Sequence, residues 1–229
     1  MKPTVTLPDK IQRVIEVDID PKHWVWVPGT NYFVSSQQDY NGLQWRPTLT
    51  KALREKPFAH VTPPHVFLPH YADVCASMRK KNPTVLYDGN GEPLSTAARK
   101  DLQERRTTDT WVWQDAYFEQ RKNGLYLLTD HQLVQGKVQP QKEERLEKCV
   151  NESGVLVDLI FNAQGLPTRK SKQQEYQRGK NISFWSPQEN SVVWFYAVAD
   201  GAGLLCYGGP QGSGAAVGVL LCAEGAAKK

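Results

Sequence analysis

SVVWFYAVADGAGLLCYGGPQGSGAAVGVLLCAEG, residues 191 to 225, is the segment of the chain that is most informative about its architecture. It contains eight of the 17 glycines in the sequence and two charged residues, Asp200 and Glu224. Its apolar runs are rich in β-branched and aromatic residues, and glycine or proline separates each run from the next. This pattern predicts short strands joined by turns.

The run from Val193 to Asp200 alternates between two kinds of side chain, as a half-buried strand does. The inward set of this predicted strand is Val193, Phe195, Ala197 and Ala199, and the outward set is Trp194, Tyr196, Val198 and Asp200. The small set can pack against a core, which turns the large aromatic set outward. Outward tryptophan and tyrosine beside an adaptable Gly/Ser loop are typical of a binding surface. Burial of Trp194 and Tyr196 under a further layer of core is the alternative that these residues leave open.

Strands are also predicted upstream of this segment. IQRVIEVDI (11–19) and HWVWVPG (23–29) have strand composition, and a turn at Pro28-Gly29 closes the second. TWVWQDAYFEQ (110–120) and GLYLLTDHQLV (124–134) flank Asn123-Gly124, which predicts a β-hairpin. Residues 140–162 mix a charged run with an apolar one and favour neither helix nor loop.

Helical patterns lie in the first half of the chain. TLTKALREK (48–56) opens at Thr48 and stops before Pro57. PPHVFLPHYADVCASMRKKN (63–82) has Thr62 as a candidate cap and ends near Asn82. A turn at residues 88–91 leads into a polar helical stretch at 94–106.

Helices early and strands late, without alternating βαβ units, predict an α+β fold. We expect two helices packed beside a twisted, mostly antiparallel sheet. The whole chain, 1–229, is expected to be a single domain, with residues 1–12 as a loose N-terminal arm.

The order of HWVWVPG, NGLQW, TPPHVF, WVW, GKNISFW and GVLLCAEG resembles the C-type lectin fold of the formylglycine-generating-enzyme type. In particular, the chain is similar to the variable proteins of diversity-generating retroelements of the archaeal type. The resemblance runs from about Trp24 to Gly225.

The resemblance implies a non-enzymatic protein that displays a hypervariable ligand-binding region, here residues 191–225, on a rigid scaffold. Its ligand would be an unknown protein or another macromolecule. The implied ligand-binding residues are Trp194, Tyr196, Val198, Asp200, Tyr207, Gln211 and Ser213. Alanine and glycine are unusually frequent around these positions, which predicts a flatter and less polar site than in relatives of this kind.

Two other functions are alternatives. Enzymes of formylglycine-generating type use cysteines, and Cys206 and Cys222 are the candidates near the predicted site. Each stands among apolar residues, which raise the pKa of a thiol, so catalysis is not expected. A weak nucleic-acid binder is the other alternative, but the net charge of +4 is small and the basic residues are scattered.

No cofactor or metal is expected. The residues GSGAAVG at 212–218 lack the lysine and hydroxyl residue of a phosphate loop. His60, His65 and His70 are spaced by five, which spreads them around a helix, and the four cysteines form no CxxC pair. No stretch has the roughly 18 apolar residues of a membrane span, and the first residues lack the apolar run of a signal peptide. A cytoplasmic location is expected over secretion.

Overall fold

The structure is a computed structural model that describes residues 21–27, 30 and 32–224. The predicted N-terminal arm, the strand at 11–19 and the turn at Pro28-Gly29 lie outside these residues. The described part contains three α-helices and two mostly antiparallel sheets, so the chain has a mixed α+β fold. None of these helices is both long and apolar enough to cross a membrane.

Helix α1 spans Trp45–Glu55 and begins three residues before the predicted start. Gln44 is its N-cap, and Pro47 falls in the first turn, where a missing N–H costs no helical hydrogen bond. Thr48 does not cap the helix, because its Oγ1 donates to the carbonyl of Gln44 over 2.7 Å. The indole of Trp45 donates to the carbonyl of Gln114 over 2.9 Å and thereby fixes the helix to the sheet.

Helix α2 spans Pro64–Ala76 and is buried on almost all sides, as a helix that is apolar all round must be. Pro63 is its N-cap, so the predicted cap at Thr62 is wrong. The Thr62 hydroxyl instead donates to the carbonyl of Leu220 over 2.7 Å. The helix ends at Ala76, short of the predicted end near Asn82, and Pro69 lies inside it.

Helix α3 spans Thr96–Thr108, where the sequence has its polar helical stretch. The Ser95 side chain caps it by accepting a hydrogen bond from the Ala98 N–H over 3.2 Å. The predicted fold had two helices beside the sheet, and the described residues form three. The expected single sheet is also wrong, because the strands divide between two sheets.

The larger sheet has eight strands. They are β4 (Asp109–Arg121), β5 (Gly124–Val134), β6 (Lys137–Arg145), β7 (Val155–Asp158), β8 (Asn181–Trp185), β9 (Ser191–Val198), β10 (Gly201–Gly208) and β11 (Gly218–Val219). The spatial order is β6-β5-β4-β9-β10-β8-β7, and β11 pairs with β4 off this path. Only the pairs β10–β8 and β11–β4 are parallel among the described strands of this sheet.

The hairpin predicted around Asn123-Gly124 is confirmed, since β4 and β5 pair antiparallel up to the partners Arg121 and Gly124. The undecided stretch at 140–162 contains the end of β6 and all of β7. Strand β6 lies at the edge of the sheet, where unpaired backbone N–H and C=O groups could pair with a strand of another chain. Its charged side chains and Pro140 disfavour such pairing.

The smaller sheet has four strands: β1 (Trp24–Trp26), β2 (Tyr32–Ser35), β3 (His60–Val61) and β12 (Leu221–Glu224). Their spatial order is β1-β2-β12-β3, and every pair is antiparallel. Strand β12, close to the end of the described chain, therefore lies inside this sheet rather than at its edge.

The main core lies between the larger sheet and α2. Val193, Phe195 and Ala197 are fully buried, so this part of the inward set is confirmed. The Phe195 ring lies 4.9 Å from that of Phe67 and 4.8 Å from that of Tyr71, both on α2. Ala199 is exposed, contrary to the prediction, because β9 ends at Val198 and Ala199 belongs to the turn that follows.

Candidate functional site

A groove of about 660 Å³ opens beside β9, between an aromatic face of the sheet and the loop that follows β10. We call it the aromatic groove. It is lined by Trp111, Trp113, Trp194, Tyr207, Gly208, Gly209, Gly212, Ser213, Gly214, Ala215, Ala216 and Val217. Its volume falls in the range of sites that hold small ligands or the side chains of a partner.

Four rings from β4 and β9 form a continuous row beside the groove. Trp111 pairs with Tyr196, and Trp113 pairs with Trp194, across the two strands. The ring centroids of these pairs are 5.3 Å and 6.1 Å apart, and Trp111 also lies 5.6 Å from Trp194. We call Trp113, Trp194, Trp111 and Tyr196 the aromatic row. Such cross-strand contacts hold the rings in place before any ligand arrives.

Two glycines on β10 make room for the aromatic row. In the described stretch 191–224 no glycine has a positive φ, so a left-handed backbone is not the reason for glycine at positions 203 and 208. A Cβ on Gly203 would lie 2.5 Å from Cε1 of Tyr196, and one on Gly208 would lie 3.0 Å from Cδ1 of Trp194. The two outward rings therefore lie against strand β10, over the positions where it has no side chains.

The loop at 209–217 is fixed by hydrogen bonds to its backbone carbonyls near its C-terminal end. Val217 N–H donates to the carbonyl of Gly214 over 2.9 Å, and Gln38 Nε2 donates to the carbonyl of Ala216 over 2.6 Å. Gly218, the first residue of β11, packs so closely that a Cβ would lie 2.0 Å from Asn41 Oδ1 and 2.4 Å from the carbonyl oxygen of Asp39. The groove therefore has one firmly anchored wall.

The seven predicted ligand-binding residues divide into two groups. Trp194, Tyr207 and Ser213 line the aromatic groove, and Tyr196 extends the row beside it. Trp194 and Tyr196 are half-buried and Tyr207 is 41% exposed. The structure therefore does not place Trp194 and Tyr196 under a further layer of core.

The remaining three predicted residues do not line the groove. Val198 ends β9, and Asp200 lies exposed in the turn between β9 and β10. Gln211 is exposed at the tip of the loop. Exposure of Asp200 is as expected for a carboxylate with no buried partner.

Sequence reasoning did not assign Trp111 and Trp113 to the site. Their alternation with polar neighbours was visible in TWVWQDAYFEQ, but only the pairing of β4 with β9 brings these rings beside Trp194 and Tyr196. That pairing joins residues about 80 positions apart, which a single sequence does not reveal.

None of the described residues that line the aromatic groove is charged. The available polar groups are the hydroxyls of Tyr207 and Ser213, backbone groups and the indole N–H groups, and Trp113 Nε1 already donates to the carbonyl of Leu43 over 3.2 Å. Such a surface binds by stacking and apolar contact, with few hydrogen bonds to fix orientation.

The two cysteines of the enzyme alternative are deeply buried. Cys206 lies on β10 and Cys222 on β12, and burial raises the pKa of both thiols far above the ordinary value of 9.0. Since the thiolate is the nucleophile, neither side chain is poised for nucleophilic chemistry at neutral pH.

The spaced histidines do not share a helix face. His60 lies on β3, while His65 and His70 lie on α2. The part of the chain that the structure describes holds no group of three or more His, Cys, Asp or Glu side chains placed to bind a metal ion.

Comparison of the chain with protein-family models, with curated proteins and with solved structures finds no match.

Proposed function

We propose that the chain is a non-enzymatic binding protein whose ligand contacts the aromatic groove. The observation that carries the proposal is the aromatic row, in which Trp111, Trp194 and Tyr196 are half-buried and lie beside a loop of glycine, alanine and serine. Aromatic rings supply large contact areas at low cost in side-chain entropy, and small residues let a partner approach closely.

The chemistry of the groove favours a protein ligand that inserts apolar or aromatic side chains. Sugars and nucleotides expose many hydroxyl or phosphate groups, and each of these needs a hydrogen-bond partner or a positive charge when it is buried. The groove offers two side-chain hydroxyls and no charge. A protein surface with an apolar anchor meets these properties best.

We further propose that the scaffold is of C-type lectin type and that the binding surface is diversified by a retroelement. Support comes from the division of β9 into a fully buried set and an outward set. Substitutions of exposed residues usually change stability by about 0.5 kcal/mol or less, whereas changes in a packed core are costly. A diversified protein needs this separation between the residues that fold it and the residues that bind.

A display experiment tests this function. A library randomised at the seven outward positions, namely Trp194, Tyr196, Val198, Asp200, Tyr207, Gln211 and Ser213, is selected for binders of hen lysozyme and of streptavidin. We expect folded variants that bind each target in a saturable way. A matched library that randomises seven exposed positions on β6 and α3 controls for sticky surfaces. Equal numbers of binders from both libraries would contradict the proposal.

A companion library separates the binding set from the core. Randomising Val193, Phe195 and Ala197 should abolish folded display in most clones, because all three are fully buried. The genomic DNA tests diversification: a near-copy of the coding sequence for 191–225 is expected close to a reverse-transcriptase gene, differing mainly at adenines. Absence of such a copy would leave a binding protein that is not diversified.

The double variant Cys206→Ala, Cys222→Ala tests the enzyme alternative. A binder selected as above should keep its affinity in this background, provided that the variant melts as a folded protein. Binding of nucleic acid is tested separately, because an affinity made by scattered basic residues falls steeply with salt.

A further inference from the structure

The aromatic wall of the groove offers hydrogen-bond donors to a ligand and hardly any acceptors. The indole N–H groups of Trp111 and Trp194 have no hydrogen-bond partner among the described residues, whereas that of Trp113 is already used. Both free nitrogens are accessible, since the buried atoms without a partner in the described chain belong to other residues. The lining side chains include no carboxylate, amide or imidazole, and the hydroxyls of Tyr207 and Ser213 can act in either sense.

The loop of the groove has the same imbalance. Three of its carbonyl groups already accept hydrogen bonds from within the chain, those of Gly209, Gly214 and Ala216. By contrast, the backbone N–H groups of residues 213–216 have no acceptor in the part of the chain that the structure describes. Ser213, Ala215 and Ala216 are exposed, so a ligand can reach this part of the loop. Both walls of the groove therefore offer donors.

A ligand that matches this surface supplies acceptors and few donors. An ordinary peptide segment or a sugar carries about as many N–H or O–H groups as acceptors, and a donor that is buried without an acceptor costs free energy. An anion also supplies acceptors, but no positive charge lines the groove to balance it. Proline has a carbonyl group, no N–H and an apolar ring that packs on aromatic side chains. A run of prolines therefore matches both the donors and the rings.

We propose that the ligand of the aromatic groove is a proline-rich segment of a partner protein, bound in the extended polyproline II conformation. This inference rests on the proposed binding function and names the chemistry of the partner. The proline rings pack on the aromatic wall, and the carbonyl groups accept from Trp111, Trp194 and the loop N–H groups. Such a segment already favours this conformation before it binds, so little conformational entropy is lost on binding.

The test titrates the full chain with decaproline that is acetylated and amidated at its ends, so that the probe carries no terminal charge. We expect saturable binding with a dissociation constant of about 1 mM or below. In ¹⁵N–¹H spectra the indole signals of Trp111 and Trp194 should shift, because a new acceptor changes their hydrogen bonding. The indole signals of Trp45 and Trp113, which already donate to carbonyl groups, should shift much less.

Two variants each remove one donor and keep an aromatic ring. Tyr207→Phe and Trp194→Phe should each weaken decaproline binding about fivefold, the usual effect of one neutral hydrogen bond. Tyr207 is 41% exposed, so its variant is expected to fold like the unmodified chain. The matched control is Trp185→Phe, which changes a half-buried tryptophan on β8 outside the groove. It should bind decaproline like the unmodified chain.

A selection from random dodecapeptides displayed on phage separates this inference from the proposed function. Panned on the unmodified chain, the library should yield peptides that are enriched in proline and that shift the indole signals of Trp111 and Trp194. Peptides that shift those signals without containing proline would support the binding function and overturn the choice of partner. A selection that yields no peptide able to shift them would count against both.

Three results with decaproline would overturn the proposal. The first is the absence of saturable binding at concentrations up to about 5 mM. The second is an equal loss of affinity in Trp185→Phe and in Tyr207→Phe, which would reveal a general attraction to aromatic surface. The third is equal binding of a blocked ten-residue peptide of alternating glutamine and alanine. Every residue of that peptide carries an N–H, so equal binding would show that the groove does not select for missing donors.

Discussion

Trp111 on β4 and Tyr196 on β9 lie face to face, with ring centroids 5.3 Å apart and planes at 23°. Both side chains are half-buried, so each ring has one part packed within the sheet and another part exposed at the surface. A residue that belongs to the proposed binding surface therefore also stabilises the scaffold. Diversity at position 196 is accordingly expected to carry a small cost in stability.

The first prediction measures that cost by a double-mutant cycle. Trp111→Ala and Tyr196→Ala should show a coupling energy of about 1 kcal/mol, which is typical of an aromatic pair beyond its buried area. Urea unfolding of the four proteins gives the coupling. Trp111→Ala combined with Tyr126→Ala is the control, since Tyr126 lies on β5 and contacts Arg121 instead. Equal coupling in both cycles would contradict a specific contact.

The second prediction concerns the room that β10 leaves for Tyr196. Gly203→Ala places a methyl group 2.5 Å from the Tyr196 ring and should destabilise the fold by about 1–3 kcal/mol, the usual cost of overpacking. Gly201→Ala is the matched control on the same strand, because its Cβ would meet atoms no closer than 3.9 Å. Thermal melts compare the two. If they melt alike, the Tyr196 ring moves aside at no cost.

The third prediction concerns the anchored wall of the groove. Gly218→Ala should destabilise the fold by at least about 2 kcal/mol, because the backbone carbonyl of Asp39 lies 2.4 Å from the new methyl group and cannot rotate away. Gly209→Ala, in the loop that precedes β11, meets nothing within 4 Å and should melt like the unmodified chain. Chemical unfolding at one temperature gives both values.

The fourth prediction is a loss of stability in acid that depends on His70. This ring is fully buried, and Arg106 Nε donates to its Nε2 over 3.3 Å. Burial, with the positive charge of Arg106, holds the pKa of His70 well below 6.5. Below pH 6.5 the unfolded chain binds a proton at His70 that the folded chain does not bind. The contribution of His70 to the free energy of unfolding is therefore present above pH 6.5 and is lost as the pH falls below that value. The slope approaches about 1.4 kcal/mol per pH unit.

His70→Gln keeps an acceptor for Arg106 and removes the titration. Below pH 6.5 its free energy of unfolding should fall less steeply with decreasing pH than that of the unmodified chain. At pH 8, where His70 is neutral in both folded and unfolded chains, the difference between the two free energies measures only the change in packing. The difference between the curves is needed because Asp73 acts in the opposite sense: burial raises its pKa from 3.8 to about 6, which favours the folded state as the pH falls through that range. Parallel curves would rule out His70 as the source.

Local pattern was enough to predict much of β9, β10 and the hairpin of β4 and β5. The period of two in Val193 to Ala197 and the Asn-Gly turn are signals carried by adjacent residues. Helix boundaries were less predictable, because the residues beside the starts at Trp45 and Pro64 make tertiary hydrogen bonds, from the Trp45 indole to the carbonyl of Gln114 and from the Thr62 hydroxyl to the carbonyl of Leu220. Those contacts join distant parts of the chain.

The candidate site was likewise predictable where its residues are adjacent in sequence, and not where strand pairing joins distant residues. Trp194, Tyr207 and Ser213 lie in one segment, and composition alone marked that segment. Trp111 and Trp113 belong to the site only through strand pairing. That pairing leaves no trace in the spacing of residues along the chain.

Strand β12 has a consequence for how the protein is made. It lies between β2 and β3, which leave the ribosome long before it does. At about 5–20 residues per second, those two early strands wait on the order of ten seconds for the partner that separates them. Until then the edges that pair with β12 are open to other nascent chains, so this part of the newly made chain is exposed to aggregation until β12 has emerged. The loop of the aromatic groove emerges immediately ahead of β12, and a loop that folds poorly would therefore delay completion of the smaller sheet.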